Sequence, residues 1–206
     1  MSENRLQRLI YSNCLRAWIQ ELECRYLRHL AGRSIRGGVA LEVGCGAGYG
    51  VDAILEVFEA RRVDAFDLDG ELVERARTRL ARRGEQVRLF RADCEAIDVP
   101  SESYDAVFDF AVVHHVLGWR RAIEQIFRVL KPGAVFCAVE VLDRFISNPV
   151  ARRLLDHPSQ DRFGHEDFRG ALRDVGFKLL ETRQIADSFG WYVAERPVAI
   201  GGSHAS

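Results

Sequence analysis

A short apolar run, Val39-Ala-Leu-Glu-Val43, gives way at once to four glycines in seven residues, Gly44, Gly46, Gly48 and Gly50, and then to a helical pattern from Val51 to Ala60. A strand that turns through glycines straight into a helix brings backbone close to a ligand, and the helix N-terminus offers free N–H groups to it. The same strand–helix rhythm continues along the chain. Val63–Asp67, Val87–Arg91, Tyr104–Phe110 and Ala134–Val141 read as strands, and Glu71–Arg82 and Arg120–Leu130 as helices. Lys131-Pro132-Gly133 reads as a helix stop. Ala134–Val141 is nearly all apolar, as a parallel strand buried on both faces should be. Glu166–Val175 then reads as a helix, with Phe177–Thr182 and Trp191–Glu195 as the last strands. This alternation predicts a three-layer α/β/α sandwich around a mostly parallel sheet, which binds its ligands beyond the C-terminal ends of the strands.

The remaining sequence narrows the setting. A chain of 206 residues with 48% apolar residues is long enough for one well-buried core. A formal charge of −1 removes the main argument for a nucleic-acid or anionic-membrane binder. No stretch reaches the roughly 20 apolar residues that span a bilayer, and the first 20 residues carry polar groups throughout. Cys14, Cys24, Cys45, Cys94 and Cys137 are scattered, with no CxxC pair, and read as reduced thiols of a cytoplasmic protein that binds no metal through them. Of the 29 basic residues all but Lys131 and Lys178 are Arg. The cluster Arg75, Arg77, Arg79, Arg82 and Arg83 is interleaved with acids and reads as a solvated helix face with i,i+4 pairs. Leu6, Ile10, Cys14, Trp18, Leu22, Tyr26 and Leu30 recur at helical spacing. The expected organisation is a helical cap over residues 1–36, a ligand-binding domain over 37–198 and a flexible tail over 199–206. The apolar stripe of the cap is also a candidate docking face for a membrane or a partner.

Spacing tests which nucleotide the glycine loop suits. A dinucleotide fingerprint G-x-G-x-x-G beginning at Gly44 needs Gly or Ala at position 49, where this chain has Tyr49. Beginning at Gly46 it meets Val51. The loop Glu42-Val-Gly44-Cys-Gly46-Ala-Gly48 instead resembles that of the class I S-adenosylmethionine-dependent methyltransferases, closest to the small-molecule and quinone-type group. Four further segments fall in the family's order. They are Asp67 ending the second strand, Asp93-Cys94 after the third, Ile97–Tyr104 leading into Asp105-Ala-Val-Phe, and Arg128-Val-Leu-Lys-Pro-Gly-Ala134, where Ala134 stands in place of the usual second Gly. The resemblance runs over roughly residues 38–182. It implies a seven-stranded sheet of order 3-2-1-4-5-7-6 with the last strand antiparallel, and S-adenosyl-L-methionine as cofactor with S-adenosyl-L-homocysteine as product. It implies a cofactor site built from Glu42, Gly44, Cys45, Gly46, Gly48, Tyr49, Asp67, Leu68, Asp93, Cys94, Asp109 and Phe110. In that site Glu42 lies near the sulfonium and amino group, Asp67 takes the ribose hydroxyls and Asp93 with the next N–H reads the adenine. Asp69 reads as the N-cap of the following helix.

Methyl transfer from a sulfonium is an in-line displacement on an electrophile that is already activated, so the protein has mainly to align the reactants and exclude water. A general base helps where the acceptor is an O–H or an acidic C–H, and an amine or thiolate acceptor needs none. Its candidates are His114 and His115, just after the fourth strand, and His157 in the connection Arg144–Phe163. The fourth strand ends Asp109-Phe-Ala-Val112, unlike the D/N-P-P-Y/F of amino-directed DNA methyltransferases, and no Pro-Cys pair supplies a cytosine-directed thiolate. The expected acceptor is a small organic molecule, such as a lipid or quinone precursor, taken by a monomer or homodimer. The alternative is a non-catalytic nucleotide-binding module with a regulatory or partner-binding role.

Overall fold

The computed structural model describes residues 13–147 and 162–198. Helix α1 (Asn13–Ala31) is followed by β1 (Val39–Val43), α2 (Tyr49–Val57), β2 (Arg62–Asp67), α3 (Gly70–Leu80), a 3-10 turn over Ala81–Gln86 and β3 (Val87–Arg91). Then come β4 (Tyr104–Phe110), a 3-10 turn over Val113–His115, α4 (Trp119–Val129), β5 (Leu130–Val141), the single turn α5 (Asp143–Ile146), α6 (His165–Val175), β6 (Lys178–Ile185) and β7 (Phe189–Glu195). The seven strands form one sheet in the order β3-β2-β1-β4-β5-β7-β6, with β7 antiparallel to both of its neighbours. That is the topology the resemblance implied.

Strand pleating divides the core between the two faces. Phe108 and Phe110 of β4, with Val135, Cys137 and Val139 of β5, pack under α1 and α2 beside Leu27, Ile54 and Phe58. Val107, Phe136 and Ala138 point the other way, under α4 and α6. Helix α4 buries Trp119, Ala122, Ile123, Ile126 and Val129, a single stripe at helical spacing. Each large side chain on it contributes about 1.5–3 kcal/mol by leaving water. Cys24 and Leu27 of α1 are fully buried in the same cluster as Ile54 and Val193, so this helix closes a face of the core. Leu6, Ile10 and the expected tail over 199–206 lie outside the described residues.

Two expectations need correction. The helix ends at Val129, just before Lys131-Pro132-Gly133 as expected, but the strand starts at Leu130 and not Ala134, so the three residues lie within β5. Arg196 takes over the helix's open end, donating from Nη1 to the carbonyls of Phe127, Arg128 and Leu130 at 3.2, 3.1 and 2.6 Å. Leu130 then pairs with Tyr104, and the register shifts before Ala106 meets Val135. The second correction concerns α2, which starts at Tyr49 and not Val51, because Gly48 turns the chain in a left-handed conformation (φ 81°) directly into the first helical residue.

Candidate active site

The parallel strands β1, β2, β3 and β4 end together, with Val43 opposite Phe66 and Asp109, and Asp67 opposite Arg91. Every cofactor candidate named from the sequence lies at or just beyond this edge. Gly44, Gly46 and Gly48 have φ of 62°, 52° and 81°, a backbone that only glycine adopts without strain. A Cβ at Gly44 would lie 2.3 Å from Val112 Cγ1, whereas one at Gly46 would meet nothing within 4 Å. Gly46 therefore faces open space, with room for a ligand against the loop. Cys45 is buried and its thiol is pushed up by burial, so it fills space and is not a nucleophile. Tyr49 and Phe110 are buried behind the loop, while Leu68 is exposed in front of it.

Glu42, on β1, is 1% exposed, and its Oε2 has no hydrogen-bond partner. Burial raises its carboxyl to about 8; Arg16 and Arg79 pull it down, and Asp67 and Asp109 push it up. A buried carboxyl oxygen without a donor is costly unless a ligand supplies one. Arg16 approaches from α1, and one turn further along that helix the buried Gln20 also has an unpartnered Oε1.

Asp67 ties the loop to the second strand. Its Oδ2 accepts from the Gly46 N–H at 2.8 Å and its Oδ1 from the Asp69 N–H at 3.0 Å. Asp69 itself caps α3, accepting from the Glu71 N–H at 2.8 Å. Asp93 is exposed and holds its own turn by accepting from the Glu95 N–H at 2.9 Å, with the buried Cys94 between them. The arginine cluster departs from the sequence expectation. Arg77 pairs with Glu74 along the helix, but Arg79, Arg82 and Arg83 converge on Asp52 of α2 at 2.7, 3.4 and 2.6 Å. Arg79 also donates to the Gly48 carbonyl at 2.8 Å and lies over the Tyr49 ring, 4.2 Å from its centroid. The cluster is a clamp on the glycine loop, made possible because the C-terminal turn of α3 packs beside the N-terminus of α2.

A second polar group lies one strand over. Asp109 and Glu140 are fully buried, and His114 nearly so. Glu140 Oε1 accepts from the Val113 N–H at 2.9 Å, and its Oε2 lies 2.6 Å from His114 Nδ1. Asp109 Oδ1 accepts from the Val112 N–H at 2.9 Å, and its buried Oδ2 has no hydrogen-bond partner. Burial raises both carboxyls, with Glu140 a further cause of the rise at Asp109. Burial lowers His114 to about 4 and keeps its imidazole neutral. The ring of His115 lies 4.0 Å from that of His114, centroid to centroid, and its residue is exposed. Beyond Glu140, Tyr192 and the half-buried His165 pair at 3.0 Å. His157 lies outside the described residues.

Sequence reasoning missed Glu140, Tyr192 and His165. The signal for Glu140 was present as the one carboxylate in Ala134–Val141, an otherwise apolar strand buried on both faces. An ionisable residue in such a run has to be satisfied by neighbours that only the sheet brings together.

The orphaned Glu42 oxygen, the open space at Gly46 and the carboxylate of Asp67 beside it suit a nucleoside with a cationic amino-acid tail. Comparison with known proteins gives the same assignment. The family described as "Methyltransferase domain" matches residues 41–138. A probable S-adenosylmethionine-dependent methyltransferase of Mycolicibacterium smegmatis is 31% identical over 189 residues, 90% of this chain and 68% of the relative. The sterol 24-C-methyltransferase of Eremothecium gossypii is 29% identical over 179 residues, 81% of this chain and 48% of that enzyme. The chain therefore spans between about half and two thirds of the length of these relatives. A putative methyltransferase from Bacillus halodurans shares the fold, with a TM-score of 0.73 at 17% identity over 86% of this chain and all of that one. The chain belongs to the class I S-adenosylmethionine-dependent methyltransferases, and S-adenosylmethionine is its cofactor.

Proposed function

We propose that the protein transfers the methyl group of S-adenosylmethionine to a small organic acceptor, a lipid or quinone precursor being the class in view. The observation that carries this reading is the buried Glu42 carboxyl, whose Oε2 has no hydrogen-bond partner, beside a glycine loop held by Asp67. The cofactor, when bound, supplies a methyl group activated by its sulfonium. Glu42 would receive the amino end of the cofactor, the open face of the glycine loop at Gly46 its sulfur and carboxylate end, and Asp67 its ribose hydroxyls. Asp93 and the Cys94 N–H are assigned to the adenine, with Leu68 covering it, and Asp109 and Phe110 form the wall toward the acceptor. His114 and His115 are the described candidates for a base, one strand further along the edge. The similarity to a sterol 24-C-methyltransferase supports an organic, lipid-like acceptor. No described helix is long and apolar enough to cross a membrane, which fits the cytoplasmic setting proposed for the reaction.

Calorimetric titration with S-adenosylmethionine, S-adenosylhomocysteine and NADH on one sample tests the site. Micromolar binding of the two sulfur nucleosides without NADH is expected. Binding of NADH alone sinks the reading.

A further inference from the structure

Helix α1 is apolar on two sides. Gln20, Cys24 and Leu27 are buried against the core, whereas Trp18, Leu22 and Tyr26, four residues apart, lie on the opposite side in solvent. Trp18 is 59% exposed and Leu22 45%, with Ile19 on the same flank. Packing the helix on the sheet needs only its inner side, and a helix face that meets water alone is ordinarily polar. The outer apolar flank runs on across the sheet. Tyr26 meets Trp191 of β7 edge-on, 5.6 Å between ring centroids. On the edge strand β6, Ile185 is opposite Phe189 and so shares the face of Trp191, and it is 61% exposed. The other flank of α1 is cationic. Arg25, Arg28 and His29 line a cleft of about 390 Å3 against Glu56 and Val57 of α2. Its acids are already matched, Glu21 by Arg25 at 2.8 Å and Glu56 by Arg83 at 2.5 Å. Arg28 has no ion pair among the described residues, and its buried Nε has no hydrogen-bond partner.

We propose that the outer side of α1 docks on a bilayer surface that contains anionic phospholipid. The helix lies in the headgroup plane, with Trp18, Ile19, Leu22 and Ile185 toward the acyl chains and a headgroup phosphate in the cleft of Arg25, Arg28 and His29. Charge and composition select this occupant together. An indole and aliphatic side chains bordered by arginine match the two layers of a lipid interface, apolar below and anionic above. The guanidinium left without a counter-charge is complementary to a phosphate. The formal charge of −1 over the whole chain gives no long-range pull toward such a surface, so the attraction is local and acts within a Debye length. The face is also well placed, because Arg16, two residues before Trp18, acts on the Glu42 carboxyl. Docking α1 therefore brings the edge of the candidate site to the bilayer. The proposal uses none of the cofactor residues and is independent of the methyl-transfer reading.

The test is co-sedimentation of the full chain with unilamellar vesicles, of phosphatidylcholine alone and of phosphatidylcholine with roughly one-third phosphatidylglycerol. Partitioning onto the mixed vesicles is expected to be about fivefold stronger or more, and to weaken with added salt. It should bring a blue shift of tryptophan emission that Trp18→Phe removes. Trp18→Gln together with Leu22→Gln should weaken partitioning by about tenfold or more at an unchanged melting temperature, since both side chains lie outside the core. Arg25→Gln together with Arg28→Gln should abolish the preference for phosphatidylglycerol while leaving the weak binding to phosphatidylcholine. No binding to the mixed vesicles, wild-type binding by the Trp18 and Leu22 variant, or a lipid preference that survives loss of both arginines overturns the proposal. So does a dimer in light scattering that the Trp18 and Leu22 variant dissolves, because a second copy then occupies the face. A monomer whose Trp18 emission is shielded from acrylamide before lipid is added overturns it as well, because the chain then covers the face itself.

Discussion

The carboxyl of Glu42 occupies the space that a side chain on Gly50 would need: a Cβ built there lies 2.1 Å from Glu42 Oε1. Gly50 is the second residue of helix α2, where alanine would be the better helix former by roughly 0.5–1 kcal/mol. Its absence from this position is therefore explained by the neighbouring strand and not by the helix. Gly50→Ala is expected to push Glu42 out of its buried position while the helix gain offsets part of the cost in stability. Calorimetry should then show at least a tenfold loss of S-adenosylhomocysteine affinity, about 1.4 kcal/mol. Unchanged affinity would remove Glu42 from the cofactor contacts.

Asp67 acts twice, once on the loop and once on whatever the loop holds. Its two oxygens already accept from Gly46 and Asp69 N–H groups, yet a carboxylate has further lone pairs for two hydroxyls. Asp67→Asn puts an NH2 against one of those backbone donors, so it disturbs the loop as well as the ligand. Asp67→Ala is expected to weaken S-adenosylmethionine binding by about 1–3 kcal/mol, the range for hydrogen bonds to a charged group. The asparagine variant should lose at least as much, since it replaces an attraction by a donor–donor contact. An asparagine variant that binds as the wild type does would show that Asp67 is only a strand-end residue.

The sheet order and nearly every strand were legible in the sequence, because buried parallel strands and glycine turns leave local patterns that tertiary contacts reinforce. Element ends were less so. The carbonyls left open at the end of the Val129 helix are capped by Arg196, 67 positions on, and no local pattern at Lys131-Pro132-Gly133 reports that. The candidate cofactor residues were readable for the same reason as the fold: Glu42 and Asp67 lie at the C-terminal ends of β1 and β2, and Asp93 lies two residues beyond β3. The buried group of Asp109, Glu140 and His114 was not. Glu140 and Asp109 meet across two strands, and His114 joins them only because a 3-10 turn folds back over β5. His114 and His115 looked equivalent as neighbours in sequence, and burial separates them.

Arg79 offers a test of whether the arginine clamp matters to the ligand or only to the helices. It alone of the three arginines on Asp52 also reaches the Gly48 carbonyl and the Tyr49 ring. Arg79→Met keeps the apolar stem and leaves Arg82 and Arg83 to hold Asp52. Thermal stability should fall only slightly, while S-adenosylhomocysteine affinity falls by about 0.5–1.5 kcal/mol, the value of one or two lost hydrogen bonds. A variant as stable as the wild type with unaltered affinity would make the clamp a surface ion-pair network and nothing more.

Burial of carboxyls sets the pH dependence of the unliganded fold. Glu42 titrates at about 8 and Glu140 at about 7 when folded, against 4.5 for an exposed glutamate, and burial is the leading cause in both. A carboxyl raised by folding contributes stability that is complete below its unfolded value and is lost as pH rises through its folded value. His114 works in the opposite sense: lowered from 6.5 to about 4, it costs stability as pH falls through that interval. The two effects oppose each other below pH 6.5, and only the carboxyls act above it. The unliganded protein is therefore expected to lose stability between pH 6.5 and 8, by up to about 1.4 kcal/mol per pH unit for each group titrating. Chemical denaturation at pH 6.5, 7.2 and 8.0 measures this directly. Glu42→Gln should flatten the decline, because a neutral amide has no proton to lose; a decline of equal slope in that variant would mean that Glu42 is already ionised in the folded chain at pH 6.5.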